Sequence, residues 1–286
     1  MYVQTPFNFT GSKYKVLDQI IPNMDTTSMQ DFVDLFAGGG SVYTNVIKLY
    51  RNIIVNDKIR ELIEIHERLL IDDQIINDVK KLVVEKDDAE GYGRLRESFN
   101  EYPTAEKLWA LMLCCTNNMM RFNQQFKFNQ TFGKRTYNDS TEKKVRSFVE
   151  HLKPEKGRIN FISMNFDEVP IMKNTFYYID PPYGFEDKDG KIGKKQISEA
   201  GYNAYYSAVD DMVLLEYLRK IDEIGSQFMV SGLLEHNGKK SWLLNKLIKD
   251  GYNWKELEYD YYKVSRQKEV DKKSREIIIM NYDRRS

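Results

Sequence analysis

Seven short runs of apolar, β-branched or aromatic residues recur along the chain, at 31–36, 52–57, 159–164, 175–180, 227–232, 255–264 and 275–282. Runs of this length and composition predict strands. Apolar positions fall at helical spacing over 12–20, 41–50, 58–70, 210–224 and 238–250. Strand alternating with helix predicts an α/β fold with a doubly wound, mostly parallel sheet. The last two runs are separated only by a loop, which predicts an antiparallel hairpin at one sheet edge.

The interval 72–157 breaks this alternation. It predicts helices over 72–85 and 104–119, the second with Leu108, Leu111, Met112 and Cys115 on one face. Thr104 after Pro103 is placed to cap that helix, with Glu106 in its first turn. The expected organisation is one domain from 1–71 and 158–286, interrupted by a mainly helical insert over 72–157. A later stretch, 184–206, carries four glycines, several lysines, Tyr202, Tyr205 and Tyr206, and no apolar period. A mobile loop is expected there.

With 286 residues the chain is long enough for a sizeable core. No apolar run approaches the ~20 residues needed to cross a bilayer. Residues 1–15 lack the basic-then-apolar order of a signal peptide, so a cytoplasmic location and no membrane partner are expected. Cys114 and Cys115 are adjacent and suit small buried side chains better than a disulfide. His66, His151 and His236 are scattered, so no metal is expected.

Formal net charge is zero. Charge is unevenly spread, however: 121–158 holds ten Lys/Arg against four Asp/Glu, and 263–275 holds six against two. Such runs are either solvated faces or sites for a polyanion backbone. Lys134, Arg135, Lys143, Lys144 and Arg146 are the candidates for phosphate contact. Base edges would be read from 124–138, where amides and arginine are concentrated.

Two constellations carry chemistry. Asp34-Leu35-Phe36-Ala37-Gly38-Gly39-Gly40 follows the first strand and opens a helix, so its glycines permit a sharp turn and close approach of a ligand. The second strand ends at Asp57, 17 residues after Gly40, where a carboxylate can accept from ribose hydroxyls. No Gly-Lys-Ser/Thr follows and the dinucleotide fingerprint is incomplete, which favours a nucleoside without a pyrophosphate. The other constellation is Asp180-Pro181-Pro182-Tyr183. Two prolines remove two backbone donors and end the strand, leaving a carboxylate, a carbonyl and an aromatic ring at one corner. Such a corner is either a strand-ending turn or a grip for an amino group on a flat ring.

Together these residues resemble the D12 class of adenine-N6 DNA methyltransferases, the α group that includes the Dam-type enzymes. Phe9-Thr10-Gly11-Ser12-Lys13 is similar to that family's Trp-Ala-Gly-Gly-Lys, and 34–40 to its Phe-x-Gly-x-Gly. Asn56-Asp57 is similar to its ribose element and 180–183 to its catalytic tetrapeptide. Arg121-Phe122-Asn123 with Phe128-Asn129 and Gly133 resembles its Arg-x-Asn…Phe-Asn-x-x-x-Gly signature. The order is also the α-group order. Phe9 replaces tryptophan, Asn165-Phe166 stands where Asp-Phe is usual, and Ser231-Gly232 where Ser-Asn is.

The resemblance implies a class I methyltransferase fold and transfer of a methyl group from S-adenosyl-L-methionine to N6 of an adenine flipped out of double-stranded DNA. A restriction–modification or phage setting and a monomer or weak dimer go with it. Asp180 and the Pro181 carbonyl would accept the two N6 hydrogens, Pro182 would hold the corner, and Tyr183 would stack on the base. Lys13 and Asp57 would hold the cofactor's polar ends, Phe9 its apolar parts, and Asp34, Phe36, Ala37, Gly38 and Gly40 its floor. Asn165 and Phe166 would flank its adenine, with Asp167 as a compensating acid. Lys13 could instead be a surface lysine, and Phe9 core. Arg121, Asn123 and Asn129 either touch DNA or brace the insert. Transfer to another planar amine (cytosine N4, an RNA base, a protein glutamine) and a non-catalytic DNA-binding relative are the competing readings.

Overall fold

The computed structural model describes residues 2–7, 9, 11–72, 74–182, 206, 208–236, 238–258 and 274–283. Five parallel strands form the body of the sheet: β1 (Asp31–Asp34), β2 (Asn52–Asn56), β3 (Ile159–Ile162), β4 (Thr175–Ile179) and β5 (Gln227–His236). β6 (Lys239–Lys240) folds back on β5, and β7 (Asn253–Leu257) pairs antiparallel with β8 (Arg275–Met280). The order is β3-β2-β1-β4-β5-β8-β7, with β8 antiparallel to β5. The expected mostly parallel sheet and antiparallel edge hairpin are both present. The predicted strand at 255–264 is described only as far as 258.

β4 is buried along its whole length, as expected for a central strand covered on both faces. Its alternate residues feed two cores. Phe176 and Tyr178 join Phe32 and Ile278 on one face, under α2 (Ser41–Val46) and α3 (Arg60–Ile71). Tyr177 and Ile179 join Val33, Ile277 and Ile279 on the other, under α8 (Ala208–Glu223) and α9 (Trp242–Lys249). The period of two along each strand thus assigns every side chain to a layer.

The expected helix at 12–20 is a 3-10 turn over Lys13–Val16 followed by α1 (Leu17–Ile20). Within 72–157 lie α4 (Gln74–Leu82), α5 (Ala89–Glu101), α6 (Ala105–Cys114) and α7 (Asp139–Leu152). Thr104 caps α6 as anticipated, its Oγ1 accepting from Lys107 N at 3.4 Å. That helix stops at Cys114, short of the expected 119, because Cys115 turns extended (φ -79°, ψ 164°), and Asn117 and Asn118 beyond it lie in the left-handed region (φ 57° and 54°). α5 and α7 were not anticipated. Glycines at 91 and 93 and the charged surface of α7 dilute their apolar periodicity, whereas their caps are clear: Asp88 Oδ1 accepts from Gly91 N (2.7 Å) and Asn138 Oδ1 from Thr141 N (3.0 Å).

These helices share the core of the sheet. Phe7 packs against Trp109 of α6 and Phe148 of α7, with ring centroids 5.8 and 6.2 Å away. His151 of α7 lies 2.9 Å from the Thr44 carbonyl of α2. Cys114 and Cys115 are buried and unbridged.

Candidate active site

The strand order reverses beside β1: β2 and β3 lie to one side, β4 and β5 to the other. Ligands of open α/β sheets bind in the crevice outside the strand carboxyl ends at such a switch point. A cavity of about 320 Å³ opens there, within the size range of small-molecule sites.

The glycine turn after β1 is held from below. Gly40 adopts φ 74°, and a Cβ at that position would come within 2.4 Å of the Tyr43 ring and 2.8 Å of the His66 ring. His66 is fully buried on α3. Its Nε2 meets the Gly38 carbonyl at 2.9 Å and its Nδ1 meets the Tyr43 hydroxyl at 2.9 Å. A carbonyl only accepts, so Nε2 carries the hydrogen and Nδ1 accepts from the hydroxyl. Burial lowers the His66 pKa to about 4 and keeps the ring neutral.

Two acids frame this turn. Asp34 Oδ2 accepts from Tyr43 N (3.1 Å), and Asp57 accepts from Gly38 N (3.0 Å) and Ile59 N (2.9 Å). Burial raises both carboxyls, Asp34 to about 8, with the charges of Asp180 and Asp57 adding to the effect there. Asn56 ties the loop after β3 to β1, donating to the Leu35 and Met164 carbonyls and accepting from Met164 N.

At the end of β4, Asp180 opens onto the same cavity with 21% of its side chain exposed. Its Oδ2 lies 2.7 Å from Lys13 Nζ, and its Oδ1 accepts from Ser231 Oγ at 3.1 Å. Ser231 is linked in turn to the Tyr178 hydroxyl at 2.7 Å. Lys13 is 3% exposed and also meets the Gly11 carbonyl (3.1 Å) and Glu276 Oε1 (3.4 Å). Desolvation raises the Asp180 pKa, while Lys13 and Ser231 pull it back toward the ionised form.

Phe9, Lys13, Asp34, Phe36, Ala37, Gly38, Asp57, Asn165, Phe166, Asp180, Pro181 and Pro182 therefore all line one cavity, with Asp167 at its exposed edge. Gly40 shapes the turn without lining it. Lys13 is a buried partner of Asp180, which removes the surface-lysine alternative. Phe9 lies over the turn: a Cβ at Gly38 would stand 2.8 Å from its ring. Asn165 opens the 3-10 turn Phe166–Glu168, its backbone carbonyl accepting from the Glu168 amide at 3.0 Å and its own amide donating to Glu168 Oε2 at 3.2 Å. Tyr183 and most of the expected 184–206 loop lie outside the described residues. Tyr206 is buried, with its hydroxyl donating to Asp211 Oδ1 at 2.8 Å, so the expected mobile segment does not extend to it. It joins Phe36 and Phe166 in a three-ring wall, with centroids 5.4 to 6.1 Å apart.

His66, Tyr206 and Glu276 escaped the sequence reading. Glu276 had a visible signal, since it is the one acid in the apolar run 276–280 and shares a face with Ile278 and Met280. His66 had none beyond its place on the apolar side of α3.

None of the candidate DNA-contact residues lines the cavity. Arg121 is exposed and Asn129 half-buried on a hairpin bridged at Phe122 and Phe128. Asn123 Oδ1 caps the hairpin tip, accepting from Gln125 N and Lys127 N at 2.9 and 3.0 Å. Gly133 is required sterically, because a Cβ there would lie 2.4 Å from the Cys115 carbonyl oxygen. Lys134 and Arg135 are exposed, and Arg135 donates to Asn118 Oδ1. Lys143 and Arg146 are exposed and Lys144 half-buried on α7, with Arg146 paired to Glu142 at 2.6 Å. Among the described residues no His/Cys/Asp/Glu group is placed to hold a metal, and no helix is long and apolar enough to cross a membrane.

The glycine turn, the acid after β2 and the carboxylate–proline corner after β4 surround one cavity on a mostly parallel sheet with antiparallel last strands. This defines the class I methyltransferase architecture. The chain belongs to the D12 class N6 adenine-specific DNA methyltransferase family, whose sequence profile matches residues 9–261. Enzymes of that family use S-adenosyl-L-methionine. Over 99% of its length the chain is 28% identical to the modification methylase StsI of Streptococcus sanguinis, covering 43% of that protein. Over 98% of its length it is 29% identical to the modification methylase LlaI of Lactococcus lactis subsp. lactis, covering 44%, and 26% identical to the type II methyltransferase M.FokI of Planomicrobium okeanokoites, covering 43%. The chain thus spans less than half the length of these curated relatives.

Proposed function

We propose that this chain transfers a methyl group from S-adenosyl-L-methionine to N6 of an adenine extruded from double-stranded DNA. The observation that carries this reading is the convergence of the Asp180–Pro182 corner and the 34–40 turn on one cavity of about 320 Å³. The cavity suits a nucleoside cofactor: the Phe36, Phe166 and Tyr206 rings offer flat faces to a base, and Asp57 retains acceptor capacity for hydroxyls beyond its two backbone partners. When bound, S-adenosyl-L-methionine supplies an electrophilic methyl group on a sulfonium.

Adenine N6 is a weak nucleophile because its lone pair is delocalised into the ring. Asp180 and the Pro181 carbonyl accept its two hydrogens, favour a tetrahedral nitrogen and oppose the positive charge that develops as the N–C bond forms. The methyl–sulfur bond would break as the N–C bond forms, leaving a neutral thioether, and the nitrogen then gives up one proton to water at the open side of the cavity. Tyr183, next in sequence, offers the stacking face for the extruded base. Lys134, Arg135, Lys143, Lys144 and Arg146 provide phosphate contacts, residues 124–138 provide base-edge contacts, and Arg121, Asn123 and Asn129 support them. Residues 72–157 act as the target-recognition insert. A monomer or weak dimer in the cytoplasm, in a restriction–modification or phage setting, completes the proposal.

Duplex DNA incubated with tritiated cofactor should yield labelled N6-methyladenine on nucleoside analysis, and sequencing of DNA from expressing cells should report one short site. Label in cytosine, RNA or protein, or none at all, would overturn this reading. Asp180→Ala should lower transfer by about 10²- to 10³-fold while DNA binding persists.

A further inference from the structure

Glu276 is a buried carboxylate with no part in the mechanism above. It is 7% exposed on β8, which pairs with β5 and β7, and its Oε1 stands 3.4 Å from Lys13 Nζ. Lys13 is closer to Asp180, at 2.7 Å from Oδ2, and both residues line the cavity. Two difficulties follow if N6 transfer is the reaction. Asp180 must accept from the target amine while an ammonium already occupies one of its oxygens. A lysine–aspartate pair alone is also neutral, whereas the amine becomes cationic during transfer.

We propose that Glu276 is a positioning residue that takes Lys13 from Asp180 when the target amine arrives. The ammonium then never stands unpaired in a buried site, where an uncompensated charge is costly. Two carboxylates against one ammonium also leave a net negative charge to face the developing cation. The exchange is short, because Lys13 already touches both acids. It needs no backbone movement, since Gly11 O holds the same ammonium at 3.1 Å. Glu276 acts through Lys13 and does not itself touch the substrate.

The same pairing acts on Asp180 before any substrate binds. Glu276 is among the charges that raise the Asp180 pKa, so removing it should let Asp180 ionise at lower pH. The other titratable groups facing Asp180 among the described residues are Lys13 from the N-terminal turn, Asp34 on β1 and Tyr178 on β4. They are unaltered by the substitution.

The test is Glu276→Gln, which keeps shape and removes charge, beside Glu276→Asp, which keeps charge. Carbon-13 NMR of the ligand-free protein, with Asp180 assigned by loss of its signal in Asp180→Asn, should show Asp180 titrating at lower pH in Glu276→Gln than in the parent or Glu276→Asp. Single-turnover transfer on the parent's own DNA site should fall about tenfold or more in Glu276→Gln at pH values where Asp180 is ionised. Cofactor affinity should change less than about threefold, and Glu276→Asp should recover most of the rate. An unmoved Asp180 titration, an unchanged Glu276→Gln rate, or equal losses in both variants that follow only their melting temperatures would overturn the proposal. A parent that methylates no DNA base would instead refute the functional reading, and the ligand-free titration would still decide whether Glu276 governs Asp180.

Discussion

At the scale of single residues, the site is built from acids that the fold keeps out of bulk water. Asp34 shows the consequence most directly, because burial pushes its pKa from the ordinary 3.8 to about 8. The native chain then binds more protons than the unfolded chain between those values. This contribution to stability is fully present below the unfolded value and is lost as pH rises through the folded one. Asp34→Asn keeps an oxygen for the Tyr43 amide and abolishes the titration. Urea midpoints measured between about pH 5 and pH 9 should therefore fall less in Asp34→Asn than in the parent. Parallel falls would show that Asp34 does not carry the proton. The identities of Asp34, Asp57 and Asp180 were legible from motif spacing, but their protonation was not, since its largest cause is burial, which the packing of the whole fold imposes.

Among the elements, the strands and their order of use were the most readable, because a buried strand writes its environment into consecutive apolar residues. Helices were less so. α7 carries Lys143, Lys144 and Arg146 on its polar side, and only Val145, Phe148, Val149 and Leu152 face the core. Its start is set by Asn138, whose side chain accepts from the Thr141 amide. Asn138→Ala should cost about 1 kcal/mol of stability in urea unfolding. No measurable loss would mean that tertiary packing alone holds that end. The α6 cap at Thr104 was visible in the sequence because Pro103 precedes it, whereas the cap at Asn138 sits among other polar residues and stands out only once the helix is seen.

For the whole molecule, zero net charge conceals a basic segment that meets the proposed polyanion. Replacing Lys143 and Lys144 by alanine should weaken DNA binding by a similar factor on every sequence, and should reduce the salt slope of log K by about 0.9 for each phosphate that is no longer neutralised. An unaltered salt slope would place the DNA elsewhere on the surface. The sequence by itself determined the sheet, the glycine turn, the Asp180 corner and the family to which they belong. Each of these is a local device, in which strand burial, turn chemistry and strand ending are carried by neighbouring residues. Only the tertiary structure decided that Lys13 is buried against Asp180, that Ser231 and Glu276 flank it from β5 and β8, and that His66 supports the turn. Those pairings join positions 28 to 263 residues apart, and one chain's linear pattern carries no record of which distant polar groups must satisfy one another when water is excluded.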